Sequence, residues 1–217
     1  MKRHYYLIVD TETTQKQTVA DFGAVVMTKQ GEIVEQFGAV IGGHFGTIPL
    51  FSNPSAKPED FWSTQMAHRR RKHYDDLLEL GQRSICSATL VNLWLARILG
   101  QYDPIVTAYN LAFDLGKCAN TGIDLGIFAE RFCTMKVAKK VIGIRADYQE
   151  FCYAQNLLTA KKQRPQMTAD AMAKFIIGES LADEPHTALE DARDYEAPIL
   201  AALLKTNTRK MILELGQ

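Results

Sequence analysis

The sequence predicts a single mixed-sheet α/β domain over residues 1–217, and three features support this fold class. First, the run "YYLIVD" (5–10) is rich in strand-forming apolar residues and is typical of a buried strand. Second, two strand-like segments, 19–28 and 32–41, are joined by the short turn "KQG", which is typical of an antiparallel hairpin. Third, predicted helices and strands alternate along the rest of the chain, which is the order found in α/β folds.

The later elements follow from apolar spacing and from residues that begin or end helices. A loop rich in Gly, Pro and Ser is predicted at 42–60, and short strands are predicted at 104–109 and in "RFCT" (131–134). Helices are predicted at 60–81, 87–103, 110–122, near 135–142, at 147–158, at 168–178 and at 187–205, with a kink at Pro198. We expect a core over about 5–205 and a C-terminal tail at 206–217.

Composition and charge narrow the class of protein. Lys and Arg number 25, and Asp and Glu also number 25, so the net charge points to no nucleic-acid, membrane or acidic partner. The four cysteines form no C-x-x-C pair and no zinc spacing, so we expect buried, reduced thiols. No segment approaches the roughly 20 apolar residues that span a bilayer, and the N-terminal apolar run is too short for a signal peptide. These features predict a soluble cytoplasmic protein with no membrane partner.

Two carboxylates stand at the end of the first predicted strand. Alternation along a strand places Asp10 and Glu12 on one face and Thr11 on the other. Two like charges at the end of a buried strand repel, so one takes up a proton or a cation lies between them. Oxygen ligands favour a hard cation such as Mg²⁺ or Mn²⁺. The alternative is that the pair belongs to an exposed acidic loop.

A second polar site follows the strand predicted at 104–109. With Asn110 as the N-cap of the next helix, Asp114 lies one turn later on the same face. Ligands of open α/β sheets bind at the carboxyl ends of strands, where this pair is expected. The alternative is that Asn110 only caps the helix and that Asp114 only complements its dipole.

A third site lies in "EPHTALEDARDYE" (184–196). Thr187 and Glu190 have the spacing of a capping box, which predicts a helix that starts just after Thr187. His186 and Asp191 then occupy the two positions that a hydrophobic staple would bring together, so an imidazole and a carboxylate should lie close. An imidazole beside an acidic cluster is a candidate general base near neutral pH. The alternative is a solvated histidine at a helix end.

Together and in this order, the three sites resemble the DEDDh (DnaQ-like) family of 3'–5' exonucleases. The family's D-x-E motif is matched by "VDTETT", its N-x-x-x-D motif by "YNLAFD", and its H-x-A-x-x-D-A motif by "HTALEDA". The resemblance runs from about residue 5 to residue 204. Tyr109 and Leu111 depart from it, since many members have His at the first of these positions and a small residue at the second.

The resemblance implies a ribonuclease H-like fold with an antiparallel three-strand start followed by parallel strands. It implies that Asp10, Glu12, Asp114 and Asp191 hold two Mg²⁺ or Mn²⁺ ions and that His186 takes a proton from the attacking water. The implied activity is hydrolysis from the 3' end of single-stranded DNA or RNA, with DNA slightly favoured. A homodimer is compatible with the sequence.

Substrate contacts are expected at several further positions. The resemblance suggests that Thr11 and Thr13 contact the terminal sugar, and that Tyr109 and Asn110 flank the substrate. Phe61 and Trp62 have two possible roles: they stack on the terminal bases of the substrate, or they are anchors of the hydrophobic core. The candidate phosphate contacts lie in the basic loop 159–165, at Lys161, Lys162 and Arg164.

Two other functions remain open at this point. The first is oligoribonuclease-like activity or hydrolysis of short nucleotides, since the motifs do not set the substrate's length. The second is a module that binds nucleic acid or a polymerase without cleaving. The five motif residues expected to act in catalysis are all present, which disfavours the second.

Overall fold

The computed structural model describes residues 4–47 and 71–217. In this part of the chain the strands form a sheet with the order β4-β3-β2-β1-β5-β6. These strands are β1 (Tyr5–Thr13), β2 (Val19–Thr28), β3 (Ile33–Ile41), β4 (Ser84–Cys86), β5 (Ile105–Ala108) and β6 (Arg131–Cys133).

The strand directions follow the predicted pattern. β1 to β3 are antiparallel, whereas β5 is parallel to β1 and β6 is parallel to β5. Gly31 has a φ of +89° in the hairpin turn, a conformation that glycine adopts without a steric penalty. The three-strand antiparallel start and the following parallel strands are those of a ribonuclease H-like fold, so the predicted fold class is confirmed. The sequence reading missed β4, which adds a parallel strand beside β3.

Helices cover both faces of the sheet. They are α1 (Ala88–Tyr102), α2 (Leu111–Thr121), α3 (Thr134–Val141), α4 (Ala146–Ala154), α5 (Ala169–Ile177), α6 and α7 (Arg209–Gly216). α6 begins as Ala188–Glu190, widens into a π-helical segment over Asp191–Glu196 and continues as Ala197–Thr206. Pro198 lies in the first turn after the π-helical segment, so its missing N–H falls where the regular α-helical ladder is already interrupted.

Two apolar clusters lie on opposite sides of the sheet because successive β1 side chains alternate. On the α6 face, Tyr6 and Ile8 pack with residues of α3, α5, α6 and α7. On the α1 face, Leu7 and Val9 pack with residues of α1 and α2. Each fully buried Leu, Ile or Phe contributes about 1.5–3 kcal/mol, so both layers hold the sheet firmly. Asp10 continues the α6 face and Thr11 continues the α1 face.

Several predicted boundaries need correction. Residues 71–79 are helical, while the first part of the helix predicted at 60–81 lies outside the described residues. The helix predicted at 147–158 starts at Ala146 and ends at Ala154, because the chain turns and Leu158 pairs with Pro165. The expected tail 206–217 contains α7, whose Ile212 is 1% exposed in the core. Thr208 caps this helix by accepting a hydrogen bond from the Met211 amide.

Two expectations from composition meet the structure directly. The four cysteines, Cys86, Cys118, Cys133 and Cys152, are buried and free, as predicted. Within residues 4–47 and 71–217, no helix is long and apolar enough to cross a membrane.

Candidate active site

Asp10 and Glu12 lie near the C-terminal end of β1, on the face of the sheet that α6 covers. This end of the strands is the sheet edge at which the candidate site lies. Both side chains follow Tyr6 and Ile8 in the alternation, and the ladder with β2 shifts register just after Glu12. Glu12 stands directly opposite Asp21 of β2. The prediction that Asp10 and Glu12 share a face is therefore confirmed.

Asp114 comes from the other side of the sheet. It lies in the first turn of α2, is 3% exposed, and its Oδ1 accepts a hydrogen bond of 2.8 Å from the Thr11 hydroxyl. Burial raises the pKa of Asp114 to about 7, although the hydrogen bond from Thr11 and the charge of Lys117 oppose the shift. Thr11, which sequence reasoning assigned to the substrate, is buried and holds this carboxylate.

His186, Glu12 and Asp191 form a group of potential metal ligands. One donor atom from each lies within 4.8 Å of the others, and His186 Nδ1 is 3.8 Å from Glu12 Oε1. His186 has a φ of +58°, an uncommon conformation for a residue other than glycine, and its side chain is 47% exposed. The predicted approach of His186 to Asp191 is confirmed.

The start of α6 is held by β2 and not by the predicted capping box. The helix begins after Thr187 as expected, but the Thr187 side chain makes no capping hydrogen bond. The Ala188 amide instead donates to Asp21 Oδ2 at 2.9 Å. An acceptor at the first turn satisfies an amide that has no partner within the helix. The buried carboxylate of Asp21 in β2 therefore fixes the position of the start of α6.

Asp21 belongs to a buried polar network. It also accepts hydrogen bonds from the Tyr74 hydroxyl at 2.9 Å and from Arg83 Nε at 3.3 Å. The Arg83 guanidinium also pairs with Glu190 in the first turn of α6. Burial raises the pKa of Asp21, while the Arg83 charge and the hydrogen bond from Ala188 act in the opposite direction.

Gly23 allows β2 to approach the first turn of α6. A Cβ added there would lie 2.1 Å from the Ala188 carbonyl carbon and 2.2 Å from the Leu189 nitrogen. Real Cβ atoms are never that close to backbone atoms. Since Gly23 stands opposite Asp10 in the ladder, the lack of a side chain brings α6 against the acidic edge of β1.

Further carboxylates lie at the site that the three motifs do not include. Glu196, at the end of the π-helical segment, is 4% exposed, and Glu184 is half-buried in the loop before His186. Burial raises the pKa of Glu184 to about 7, with a further contribution from Asp170. No motif pointed to either residue. The available signal was that Glu184 and Glu196 lie within "EPHTALEDARDYE".

The carboxylates raise one another's pKa values. Burial raises the pKa of Asp10 well above its usual value, and the charges of Glu196, Asp114, Glu12 and Asp191 raise it further. The pKa of Asp191 is likewise raised to about 9, mainly by burial and then by the negative charges of Glu184 and Glu12. Protons or a cation must therefore neutralise part of this cluster near neutral pH.

The donor set fits a hard divalent cation. Carboxylate oxygens are the ligands preferred by Mg²⁺ and Mn²⁺. Asp191 Oδ1 and Glu196 Oε2 are buried without a hydrogen-bond partner among the described residues. A buried polar atom in that state calls for a bound group, and a cation would satisfy it. Asp10 and Asp114 are not members of the Glu12–His186–Asp191 group. The charges of Asp114, Glu12 and Asp191 nevertheless all raise the pKa of Asp10, so these carboxylates belong to one electrostatic cluster.

Residues expected to contact substrate are spread around the site. Thr13 is half-buried at the end of β1, and Asn110 is exposed at the start of α2, where its side chain makes no capping hydrogen bond. Asn110 therefore occupies the N-cap position as predicted, but its side chain does not cap the helix. Tyr109 is 6% exposed, and its hydroxyl donates to the Met167 carbonyl at 2.9 Å. Phe61 and Trp62 lie outside the described residues.

The basic loop forms the wall of an open cavity of about 530 Å³. Lys161, Lys162 and Arg164 are exposed along it. Gln149, Thr159, Pro165 and Met167 complete the lining. Met167, shortly after the loop, accepts the hydrogen bond from the hydroxyl of Tyr109, the residue that follows β5. This hydrogen bond connects the loop to the end of β5.

Comparison with known proteins gave one kind of match. No protein-family model matches this chain, and no curated protein matches it by sequence. Among solved structures it is similar to "Exonuclease X in complex with 5' overhanging duplex DNA", with 17% sequence identity and a TM-score of 0.42. The aligned part covers 97% of this chain and 98% of that chain. Inferences about activity therefore rest on the side chains at the sheet edge.

Proposed function

We propose that this chain is a metal-dependent 3'–5' exonuclease of the DEDDh type. It would hydrolyse phosphodiester bonds from the 3' end of single-stranded DNA or RNA, with DNA slightly favoured. The observation that carries the proposal is the meeting of three motifs at one sheet edge. β1 supplies Asp10 and Glu12, α2 supplies Asp114, and the start of α6 supplies His186 and Asp191.

Asp10, Glu12, Asp114 and Asp191 would hold two Mg²⁺ or Mn²⁺ ions. When bound, such ions supply positive charge that polarises the scissile phosphate and stabilises the leaving 3' oxygen. Without that charge, the buried carboxylates repel a phosphodiester. We therefore expect the divalent cation to bind before the nucleic acid or together with it.

His186 would accept the proton of the attacking water. Its imidazole is 47% exposed, so water and substrate can reach it. Glu12 Oε1 lies 3.8 Å from Nδ1, beyond hydrogen-bond distance, so its negative charge acts on the ring without a direct hydrogen bond. A positioned imidazole is the commonest general base near neutral pH and typically contributes about 10²- to 10⁴-fold to the rate.

The nucleic-acid backbone would extend from the site toward the basic loop. Lys161, Lys162 and Arg164 present cations along an open cavity, and cations near phosphates contribute affinity without base specificity. The Tyr109–Met167 hydrogen bond links this loop to the end of β5. Thr13 follows Glu12 at the end of β1, and Asn110 precedes the helix that carries Asp114, so these two residues are the proposed contacts for a terminal sugar.

The direct test is digestion of 5'-labelled single-stranded DNA and RNA of equal sequence, with Mg²⁺, with Mn²⁺ and with chelator. A metal-dependent ladder of products shortened from the 3' end is the expected result. Cleavage of dinucleotides alone would indicate a short-nucleotide phosphodiesterase or oligoribonuclease-like activity. Binding to a strand without any cleavage would indicate the non-catalytic module.

Two variants separate the proposed roles. Asp10→Ala should lose both metal binding and turnover, whereas His186→Ala should keep metal binding and lose most turnover. Asp194→Ala is the control, because Asp194 lies in α6 beyond the proposed ligand Asp191, pairs with Arg193 and is 45% exposed. Calorimetric Mn²⁺ titration beside the digestion assay measures both properties. Equal loss of metal binding in Asp10→Ala and His186→Ala would contradict these roles.

A further inference from the structure

Glu196 is a buried carboxylate whose environment does not satisfy it. The residue is 4% exposed, and its Oε2 has no hydrogen-bond partner among the described residues. The Tyr109 backbone amide donates to the carboxylate. Burying a charged group without full compensation is costly, so this side chain requires a reason for its position.

The π-helical segment explains why Glu196 lies on the same side as Asp191. In a regular α-helix of 3.6 residues per turn, residues five apart point about 140° away from each other. Here the Ala197 amide donates to the Ala192 carbonyl five residues earlier, so the wider turn brings residues five apart toward one side. Asp191 and Glu196 are accordingly both buried, at 2% and 4% exposure.

Glu196 is close enough to Asp10 of β1 and Asp114 of α2 for the charges of these carboxylates to interact. Among side-chain charges acting on Asp10, that of Glu196 is the largest, and the largest acting on Glu196 is that of Asp114. The amide that Glu196 accepts from belongs to Tyr109, the residue after β5, which is parallel to β1. Glu196 therefore adds a carboxylate to the cluster from the α6 side.

A purely structural role accounts poorly for this arrangement. A protonated Glu196 would carry an O–H group, yet no acceptor for Oε2 is present in the described part of the chain. An ionised Glu196 would leave Oε2 buried without a hydrogen-bond donor in that part of the chain. A cation satisfies the oxygen in a way that neither protonation state does.

We propose that Glu196 is a fifth carboxylate of the divalent-metal site and contacts the bound cation from the side of Asp10 and Asp114. This inference rests on the proposed function, because it assumes that the cluster binds Mg²⁺ or Mn²⁺. Added ligand charge strengthens cation binding at oxygen sites. Glu196 should therefore raise the affinity for the ion.

The test is calorimetric titration of metal-free protein with Mn²⁺. We expect Glu196→Gln to weaken Mn²⁺ binding by about 10- to 100-fold, the scale seen when a group supporting a metal site is lost. Gln keeps the size of the side chain and an oxygen for the Tyr109 amide, so folding should persist. Glu196→Asp keeps the charge with a shorter reach and should bind with intermediate affinity. Asp194→Asn, exposed in the same segment, should bind like the wild type.

The outcomes distinguish this inference from the proposed function. Wild-type Mn²⁺ binding together with unchanged affinity in Glu196→Gln and Glu196→Asp would overturn the role of Glu196 alone. Absence of Mn²⁺ binding by the wild-type protein would overturn both the metal site and this inference. Weakened binding in Glu196→Gln with wild-type binding in Asp194→Asn would support the fifth carboxylate.

Discussion

Removing the guanidinium of Arg83 should strongly destabilise the protein. Arg83 is 3% exposed and donates to Asp21 at 3.3 Å and to Glu190 Oε1 at 3.2 Å. Arg83→Met keeps a long apolar side chain but leaves two carboxylates without their cation. Breaking a buried ion pair by removing one partner costs about 3–5 kcal/mol.

The expected shift in melting temperature follows from the size of the chain. For a domain of about this length, 1 kcal/mol corresponds to roughly 2–4 °C, so Arg83→Met should melt about 6–20 °C lower. Because Asp21 also holds the Ala188 amide, disturbing Asp21 should loosen the start of α6 beside His186. We therefore expect the proposed nuclease activity to fall more than the unfolded fraction explains.

Urea unfolding and thermal melts measure the effect, and Arg97→Met is the matched control. Arg97 pairs with Glu35, but its side chain is 48% exposed, so its loss should change stability far less. The double variant Asp21→Asn/Arg83→Met should recover part of the lost stability, because it removes one of the stranded charges. An Arg83→Met protein as stable as Arg97→Met would refute this account of the buried network.

Two further predictions concern stability at the same edge. Gly23→Ala places a Cβ 2.1 Å from Ala188, so it should cost at least the roughly 1–3 kcal/mol of overpacking, measured by urea unfolding; wild-type stability would contradict the close approach. In chelator, the raised pKa values of Asp114 (about 7) and Asp191 (about 9) mean that the folded state binds more protons than the unfolded chain. The contribution of these two groups to the free energy of unfolding is complete below about pH 4. It is lost as the pH rises through about 7 to 9. Melting temperatures that fall less with pH in Asp114→Asn would support this, and identical profiles would count against it.

The sequence allowed accurate prediction where the physical signal was local. Alternation along β1 placed Asp10 and Glu12 on one face, and the turn at Gly31 set the hairpin. The predicted helix start after the strand at 104–109 also brought Asp114 beside the end of β1, where Thr11 donates a hydrogen bond to it. These predictions needed only backbone periodicity and turn chemistry.

The residues that sequence reasoning missed depend on long-range or irregular structure. Asp21 contacts Ala188 across 167 positions of sequence, and no local pattern encodes such a pairing. Regular α-helical periodicity would turn Glu196 away from Asp191, so only the π-helical segment reveals that both are buried. α7 is different: Thr208 and the apolar spacing of Met211, Ile212 and Leu215 were available as signals.

The two acidic groups of this edge differ in how their charge is balanced. Asp21 and Glu190 share the buried Arg83 guanidinium, so the chain supplies its own cation where the carboxylates only hold elements together. The four largest side-chain charges acting on Asp10, by contrast, all come from carboxylates. Under the proposed function, a divalent cation from solution would balance the negative charge around Asp10, as the Arg83 guanidinium balances that of Asp21 and Glu190.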